Sequence, residues 1–190
     1  MKDSTLWQEL KEGNAKAFKE IFDTHVKLLY KYGYKFCQDP DLVDDCIQDI
    51  FMRIWEKRST LGTTDNIKFY LMVTLKRAIY QKILQKKKLP TSTDGDEKYE
   101  NFSLSFSIEE DIIKNETDAF NKERLLETLN TLPKRQKEVI YLRFYMGLSY
   151  EETAELMELN YQSVRNLQST ALKNMKGQMG MACLVLFLMV

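Results

Sequence analysis

Gln162, Ser163, Arg165, Asn166 and Ser169 fall in one short stretch, and together they offer the donor and acceptor patterns that match base edges. Arginine pairs two-pronged with guanine, asparagine and glutamine pair with adenine, and serine suits either a base edge or a phosphate. This is recognition chemistry, not bond-making chemistry. No nucleophile–base pair, phosphate-binding glycine loop or metal-ligand spacing stands out anywhere in the chain, so no enzyme activity, cofactor or metal is expected. The three cysteines, Cys37, Cys46 and Cys183, are scattered and suit reduced, buried thiols in a cytoplasmic protein. The one histidine, His25, has no Cys or His neighbour and reads as a packed or partly exposed ring. The N-terminal MKDSTLWQELKEG lacks the apolar run of a signal peptide, so nothing points to export.

The elements that must hold those side chains lie in residues 132–176. Ser149 and Glu152 form an S-x-x-E pair, the signature of a helix start whose free amides are satisfied reciprocally. Ala154, Leu156 and Met157 then face inward, and Glu158-Leu159-Asn160 breaks the run. Asn160 suits the cap of a second helix in which Val164, Leu167 and Ala171 recur at spacings of three and four. Two short helices joined by a three-residue turn read as a helix-turn-helix, with small Ala154 where the helices cross. Val164 and Leu167 are expected to be buried, leaving Tyr161 and the polar set to project outward, toward a major groove. The plainer reading is a helical core with a tight corner. Glu158 stands where the turn often has glycine, at a cost on the order of 1 kcal/mol if its φ is positive, which a buried Leu159 would offset.

Charge divides the chain. Formal net charge is zero, yet residues 1–89 hold 17 Lys and Arg against 12 Asp and Glu, residues 90–123 hold 3 against 10, and residues 124–190 hold 8 against 6. Basic ends around an acidic middle suggest two nucleic-acid-facing modules and a solvated connector. At 190 residues and 44% hydrophobic, the chain can bury one good core or two small ones.

From Leu6 to Leu84 the pattern is helical almost throughout. Asn14 to Gln38 is an amphipathic helix through Phe18, Ile21, Phe22, Val26, Leu29 and Phe36. Asp39-Pro40-Asp41 is a turn, with Asp41 placed to cap a helix over Leu42–Lys57. In that helix Val43, Ile47, Ile50 and Ile54 make one buried stripe, with Asp45, Gln48, Asp49, Met52 and Arg53 mostly off it. The off-stripe face is either a solvated acidic surface or a place for a partner to dock. Arg58 to Asn66 reads as a loop, and Ile67 to Gln85 as a helix ending in Lys86-Lys87-Lys88. There Phe69, Tyr70 and Tyr80 interleave with Lys68, Lys76, Arg77 and Lys82, a set that either packs a core under a basic face or stacks and neutralises a single strand. Leu89 to about Glu110 reads as an acidic linker, and Ile108 to Leu132 regains helical spacing through Ile112, Ile113, Phe120, Leu125, Leu126 and Leu129. Pro133 suits the first turn of the next helix. Met179–Val190 is apolar apart from Gly180 but well short of the roughly 20 residues that span a bilayer. It is read as folding back onto a domain or meeting a partner.

Two segments together resemble a known family. VDDCIQDIFMRIW resembles the most recognisable helix of bacterial RNA polymerase sigma factors, in region 2, and FYLMVTLKRAIYQKI resembles the promoter-melting helix after it. LPKRQKEVIYLRFYMGLSYEETAELMELNYQSVRNL resembles region 4 with its helix-turn-helix. The likeness covers roughly residues 10–176, and two domains with a short linker resemble the extracytoplasmic-function (ECF) group. It implies an all-α fold of two small domains: a region 2-like domain over 10–89, an acidic linker over 90–110, a region 4-like domain over 111–176 and an apolar tail over 177–190. It implies that Asp45, Gln48 and Asp49 dock core RNA polymerase. The loop 58–66 with Phe69, Tyr70, Lys76, Arg77 and Tyr80 would hold the opened −10 strand of promoter DNA. Gln162, Ser163, Arg165, Asn166, Ser169 and Lys173 would read the −35 duplex. An anti-sigma factor is the implied regulator, often membrane-anchored, so that any membrane link is indirect. Against the family pattern, Arg77 and Gln81 stand where many relatives have Asn and Asp, and Leu167, Ser169 and Thr170 where Arg, His and Arg are frequent. Two other readings are a stand-alone dimeric duplex-binding regulator and a membrane-associated scaffold using the tail.

Overall fold

Each break between helices in the first half is made by a residue that satisfies the next helix's free amides. Helix α1 (Asp3–Lys11) ends at Gly13, whose φ of +89° suits a residue without a Cβ. Asn14 then caps α2 (Ala15–Tyr34), its side chain accepting from the amides of Lys16 and Ala17. The cap of α3 (Pro40–Glu56) is Asp39, not Asp41: Asp39 accepts from the Leu42 amide at 3.1 Å, and Pro40 takes the first helical position. A proline there loses no hydrogen bond, which moves the start two residues earlier than the sequence reading. A short 3₁₀ turn (Arg58–Thr60) opens the loop before α4 (Ile67–Lys87). Asn66 accepts from the Phe69 amide at 3.0 Å, and the Asp3 carboxylate accepts from the Ile67 amide at 2.9 Å, so α1 caps α4 across the sequence.

The computed structural model describes residues 3–87 and 119–179, and every regular element among them is helical. The linker 90–110, Ile112, Ile113, Cys183 and the tail beyond Met179 lie outside the described residues, as does the Phe120 side chain. The chain divides into two compact units, Met1–Ser103 and Leu104–Val190.

In the front unit α2, α3 and α4 pack on one another, with α1 against α2 and α4. The stripe Val43, Ile47, Ile50 and Ile54 is buried as its spacing requires. Gly33 is where α2 meets both neighbours: a Cβ there would lie 2.7 Å from Val43 and 3.2 Å from Ile79. Cys46 is buried and Cys37 half-buried, so only one of these two free thiols matches the expected burial. Burial pushes the Cys46 thiol's pKa up, which keeps it protonated and unreactive.

The rear unit runs α5 (Ala119–Thr131), α6 (Lys134–Ile140), a π-helical turn (Tyr141–Tyr145), α7 (Tyr150–Met157) and α8 (Tyr161–Met179). Pro133 sits one residue before α6, at its cap, where its extended ψ of 149° lies outside the helix. Leu129, Val139, Leu142, Met157, Val164 and Met175 form the centre of the core. No described helix is long and apolar enough to cross a membrane.

Candidate nucleic-acid and partner surfaces

Ser149 opens α7 with the reciprocal cap its spacing predicts. The Glu152 amide donates to Ser149 Oγ at 3.1 Å, and the Ser149 amide donates to Glu152 Oε2 at 2.7 Å. The helix closes at Glu158, whose φ of 53° and ψ of 42° are left-handed. The Leu159 amide returns to the Ala154 carbonyl at 2.9 Å. Leu159 itself is only half-buried, so its burial does not offset the strain in full. Arg135 helps instead: its guanidinium donates to the Met157 carbonyl at 3.4 Å and lies 3.5 Å from the buried carboxylate of Glu138. A helix end that would otherwise leave carbonyls unmet is thereby held.

Asn160 then caps α8, accepting from the Ser163 amide at 2.7 Å. Val164, Ala171 and Met175 line the inner face and are fully buried. Leu167 was expected with them but is half-buried, because at about 100° per residue it sits some 60° to the side of Val164. Gln162, Arg165, Asn166, Ser169 and Lys173 follow one another along the opposite side, and all are exposed. Gln162 Nε2 donates to Asn166 Oδ1 at 2.9 Å, which pre-aligns two amide side chains. Ser163 is half-buried on the flank of this face, apart from the other five. Asn174 ties α8 to α6 through Gln136 at 2.9 Å.

Arg143, which the sequence reading did not single out, sits behind this face. Its Nε donates to Gln168 Oε1 at 3.3 Å, another guanidinium nitrogen donates to the Leu148 carbonyl, and its Cζ lies 4.0 Å from the Tyr150 ring centre. Tyr150 lies 5.5 Å from Tyr161, and Arg165 Cζ lies about 6 Å from both rings. No local pattern links Arg143 to α8; only the fold does.

In the front unit, Asp45, Gln48, Asp49, Met52 and Arg53 are all exposed on the outer side of α3. Asp49 is not a bare charge, since Lys82 of α4 reaches it at 2.8 Å. That hydrogen bond is the main reason the Lys82 pKa is raised. Gln48 Nε2 donates to Asp44 at 2.7 Å. A second bridge joins the same two helices, Lys86 to Asp39 at 2.9 Å, and it lowers the Asp39 pKa and raises that of Lys86.

On α4, Phe69, Tyr70, Lys76, Arg77 and Tyr80 fall within about a third of the helix circumference, so the fold brings them together. Only Arg77 is exposed; the other four are half-buried. The Tyr70 ring meets Trp7 edge-on at 5.0 Å, and Trp7 donates to the Gly62 carbonyl at 2.9 Å, fixing the loop beside α4. Lys76 lies 5.5 Å from the Phe36 ring centre. These side chains support the surface as well as furnish it. His25 is half-buried, and burial is the main cause of its lowered pKa. Among the described residues, no group of three or more His, Cys, Asp or Glu is placed to hold a metal ion.

Residues 21–89 match the sigma-70 region 2 family, and residues 122–175 match the sigma-70 region 4 family. The chain is 24% identical over 177 residues to the ECF RNA polymerase sigma factor BldN of Streptomyces coelicolor, covering 91% of this chain and 66% of BldN. It is 26% identical over 155 residues to the RNA polymerase sigma factor SigV of Bacillus subtilis, covering 82% and 86% respectively. Among solved structures, the sigma factor RpoE of Bartonella quintana, crystallised with the anti-sigma factor NepR, is similar at a TM-score of 0.56 and 20% identity, over 88% of this chain and 99% of that one. CnrH in complex with the cytosolic domain of CnrY is similar at a TM-score of 0.55 and 19% identity, over 92% and 95%. The two structural likenesses speak to the fold.

Proposed function

The chain belongs to the sigma-70 family, with both region 2 and region 4 present, and from that premise we propose that it is an ECF sigma factor that binds core RNA polymerase and directs promoter-specific initiation. The reading rests above all on α8: five polar side chains, Gln162, Arg165, Asn166, Ser169 and Lys173, share one exposed face of a helix capped and crossed as a recognition helix must be. That face enters the major groove of the −35 duplex, with Ser163 at its margin. Only Arg165 and Lys173 on it are cationic, so few counterions are released and binding to free DNA is weak. The polymerase therefore supplies most of the affinity.

In the front unit, Asp45, Gln48 and Asp49 dock the polymerase. The loop 58–66 with Phe69, Tyr70, Lys76, Arg77 and Tyr80 holds the unpaired −10 strand. Unstacking costs a few kcal/mol per step, and an aromatic platform returns about 1–3 kcal/mol per base, so a small set of rings balances the opening of a short bubble. The protein does no chemistry itself; the polymerase does. It acts in the bacterial cytoplasm, and a regulator of the anti-sigma kind, the class of protein bound to RpoE of Bartonella quintana, masks its surfaces. Any membrane link runs through that regulator.

Run-off transcription with core polymerase and this chain on genomic fragments tests the reading. Discrete start sites, absent with core enzyme alone, are expected. Tight dimeric binding to duplex DNA with no polymerase binding would instead favour a stand-alone regulator.

A further inference from the structure

We propose that Arg143 and Tyr150, neither of them on α8, are positioning residues that aim Arg165 and thereby set part of the rear unit's sequence preference. This rests on α8 reading duplex DNA. Arg165 is exposed on a helix surface, where a long side chain samples many rotamers at little cost. Two aromatic rings border it, Tyr150 at 6.0 Å and Tyr161 at 5.9 Å from its Cζ. Ring faces attract a guanidinium, so conformers lying beside them are favoured before DNA arrives.

Tyr161 belongs to α8 and moves with it, so Tyr150 is the fixed reference. It is the first residue of α7, locked behind by the Ser149–Glu152 cap. Its ring is also held by Arg143, whose Cζ lies 4.0 Å from the ring centre. Arg143 is itself anchored twice, by the Leu148 carbonyl before α7 and by Gln168 within α8. It thus connects three elements, the π-helical turn, the α7 start and the recognition helix, and leaves Tyr150 one position to hold. A lysine cannot reproduce this, having a point charge rather than a planar fork.

The test uses holoenzyme assembled from core polymerase and the full chain, presented with promoter duplexes randomised upstream of the start site; retained sequences give a base preference at each position. The variants are Arg165→Ala, Tyr150→Leu, Tyr150→Phe, Arg143→Lys and the double variant Tyr150→Leu/Arg165→Ala, each checked for an unchanged thermal transition. Tyr150→Leu is expected to reduce discrimination about two- to fivefold, the size of a cation–π contact at an exposed site, and only at positions that Arg165→Ala also affects. Arg143→Lys should affect the same positions, Tyr150→Phe should restore the native profile, and the double variant should match Arg165→Ala alone. The inference is overturned if the Tyr150→Leu and Arg165→Ala losses multiply, or if Tyr150→Leu weakens every position alike. A wild-type holoenzyme with no upstream preference at all would overturn the −35 reading itself, and the inference with it.

Discussion

Replacing Glu158 by glycine should stabilise the rear unit. Glu158 is the one non-glycine residue with positive φ among the described residues, at 53°, and that backbone costs an L-residue roughly 1–2 kcal/mol. Glycine removes the cost but adds freedom to the unfolded chain, returning about 0.4–1 kcal/mol. The middles of the two ranges leave a net gain of about 0.8 kcal/mol, since the exposed carboxylate contributes little through ion pairing. For a unit of this size that corresponds to a rise in melting temperature of about 2–8 °C. The assay separates the units by a property of the sequence: both tryptophans, Trp7 and Trp55, lie in the front unit. Tryptophan fluorescence therefore follows the front unit alone, while far-ultraviolet circular dichroism follows both. Glu158→Gly should raise the part of the dichroism transition that fluorescence does not report and leave the fluorescence transition in place. An unchanged or lowered rear transition would refute the left-handed turn, and with it the helix-turn-helix geometry built on that turn.

Ser149→Ala should act on the same transition with the opposite sign, losing about 1 kcal/mol as the reciprocal cap is broken. Gly33→Ala should shift the fluorescence transition to lower denaturant: a Cβ 2.7 Å from Val43 and 3.3 Å from Leu75 overpacks the α2–α3–α4 junction. That costs about 1–3 kcal/mol, against a helix-propensity gain of about 1 kcal/mol. Burial, aided by Lys68 and opposed by Asp3, holds the His25 pKa below its ordinary 6.5. Its contribution to front-unit stability is therefore complete above that value and lost as pH falls below it; His25→Asn should flatten this acid-side decline in denaturation midpoints. Changing Gln48 to Ala and Asp49 to Arg should weaken capture by core polymerase in a pull-down while the front unit stays folded, as its tryptophan fluorescence reports; full retention would remove the docking role from α3.

What could be read in the residues alone was whatever is decided locally. Ser149 with Glu152 and Asn160 with Ser163 are contacts over three residues, so their spacing is their geometry. The α3 stripe was equally legible, because four apolar positions at helical period leave one way to bury them. Two capping residues flank Pro40, and the preference of proline for the first helical position decides for Asp39 over Asp41. Leu167 recurs with Val164 and Ala171 at helical spacing, yet its offset of about 60° from Val164 leaves it at the edge of the buried face. The contacts that could not be read are those joining distant positions. Lys82 to Asp49, Trp7 to Gly62, Asp3 to Ile67 and Arg143 to Gln168 depend on which helix lies beside which. The same limit applies to the aromatic residues of α4: the sequence placed Tyr70 on the right helix but could not show that its ring edge rests on Trp7.

Probing unpaired thymines with permanganate, in a complex of core polymerase, this chain and a promoter recovered by run-off transcription, tests the central claim most directly. The account predicts reactive thymines around the −10 element that appear only when the chain is present, and that fade when Phe69 and Tyr80 are changed to alanine while the polymerase remains bound. A promoter that stays fully paired in the presence of the bound chain, or opens equally well with both rings removed, would contradict it.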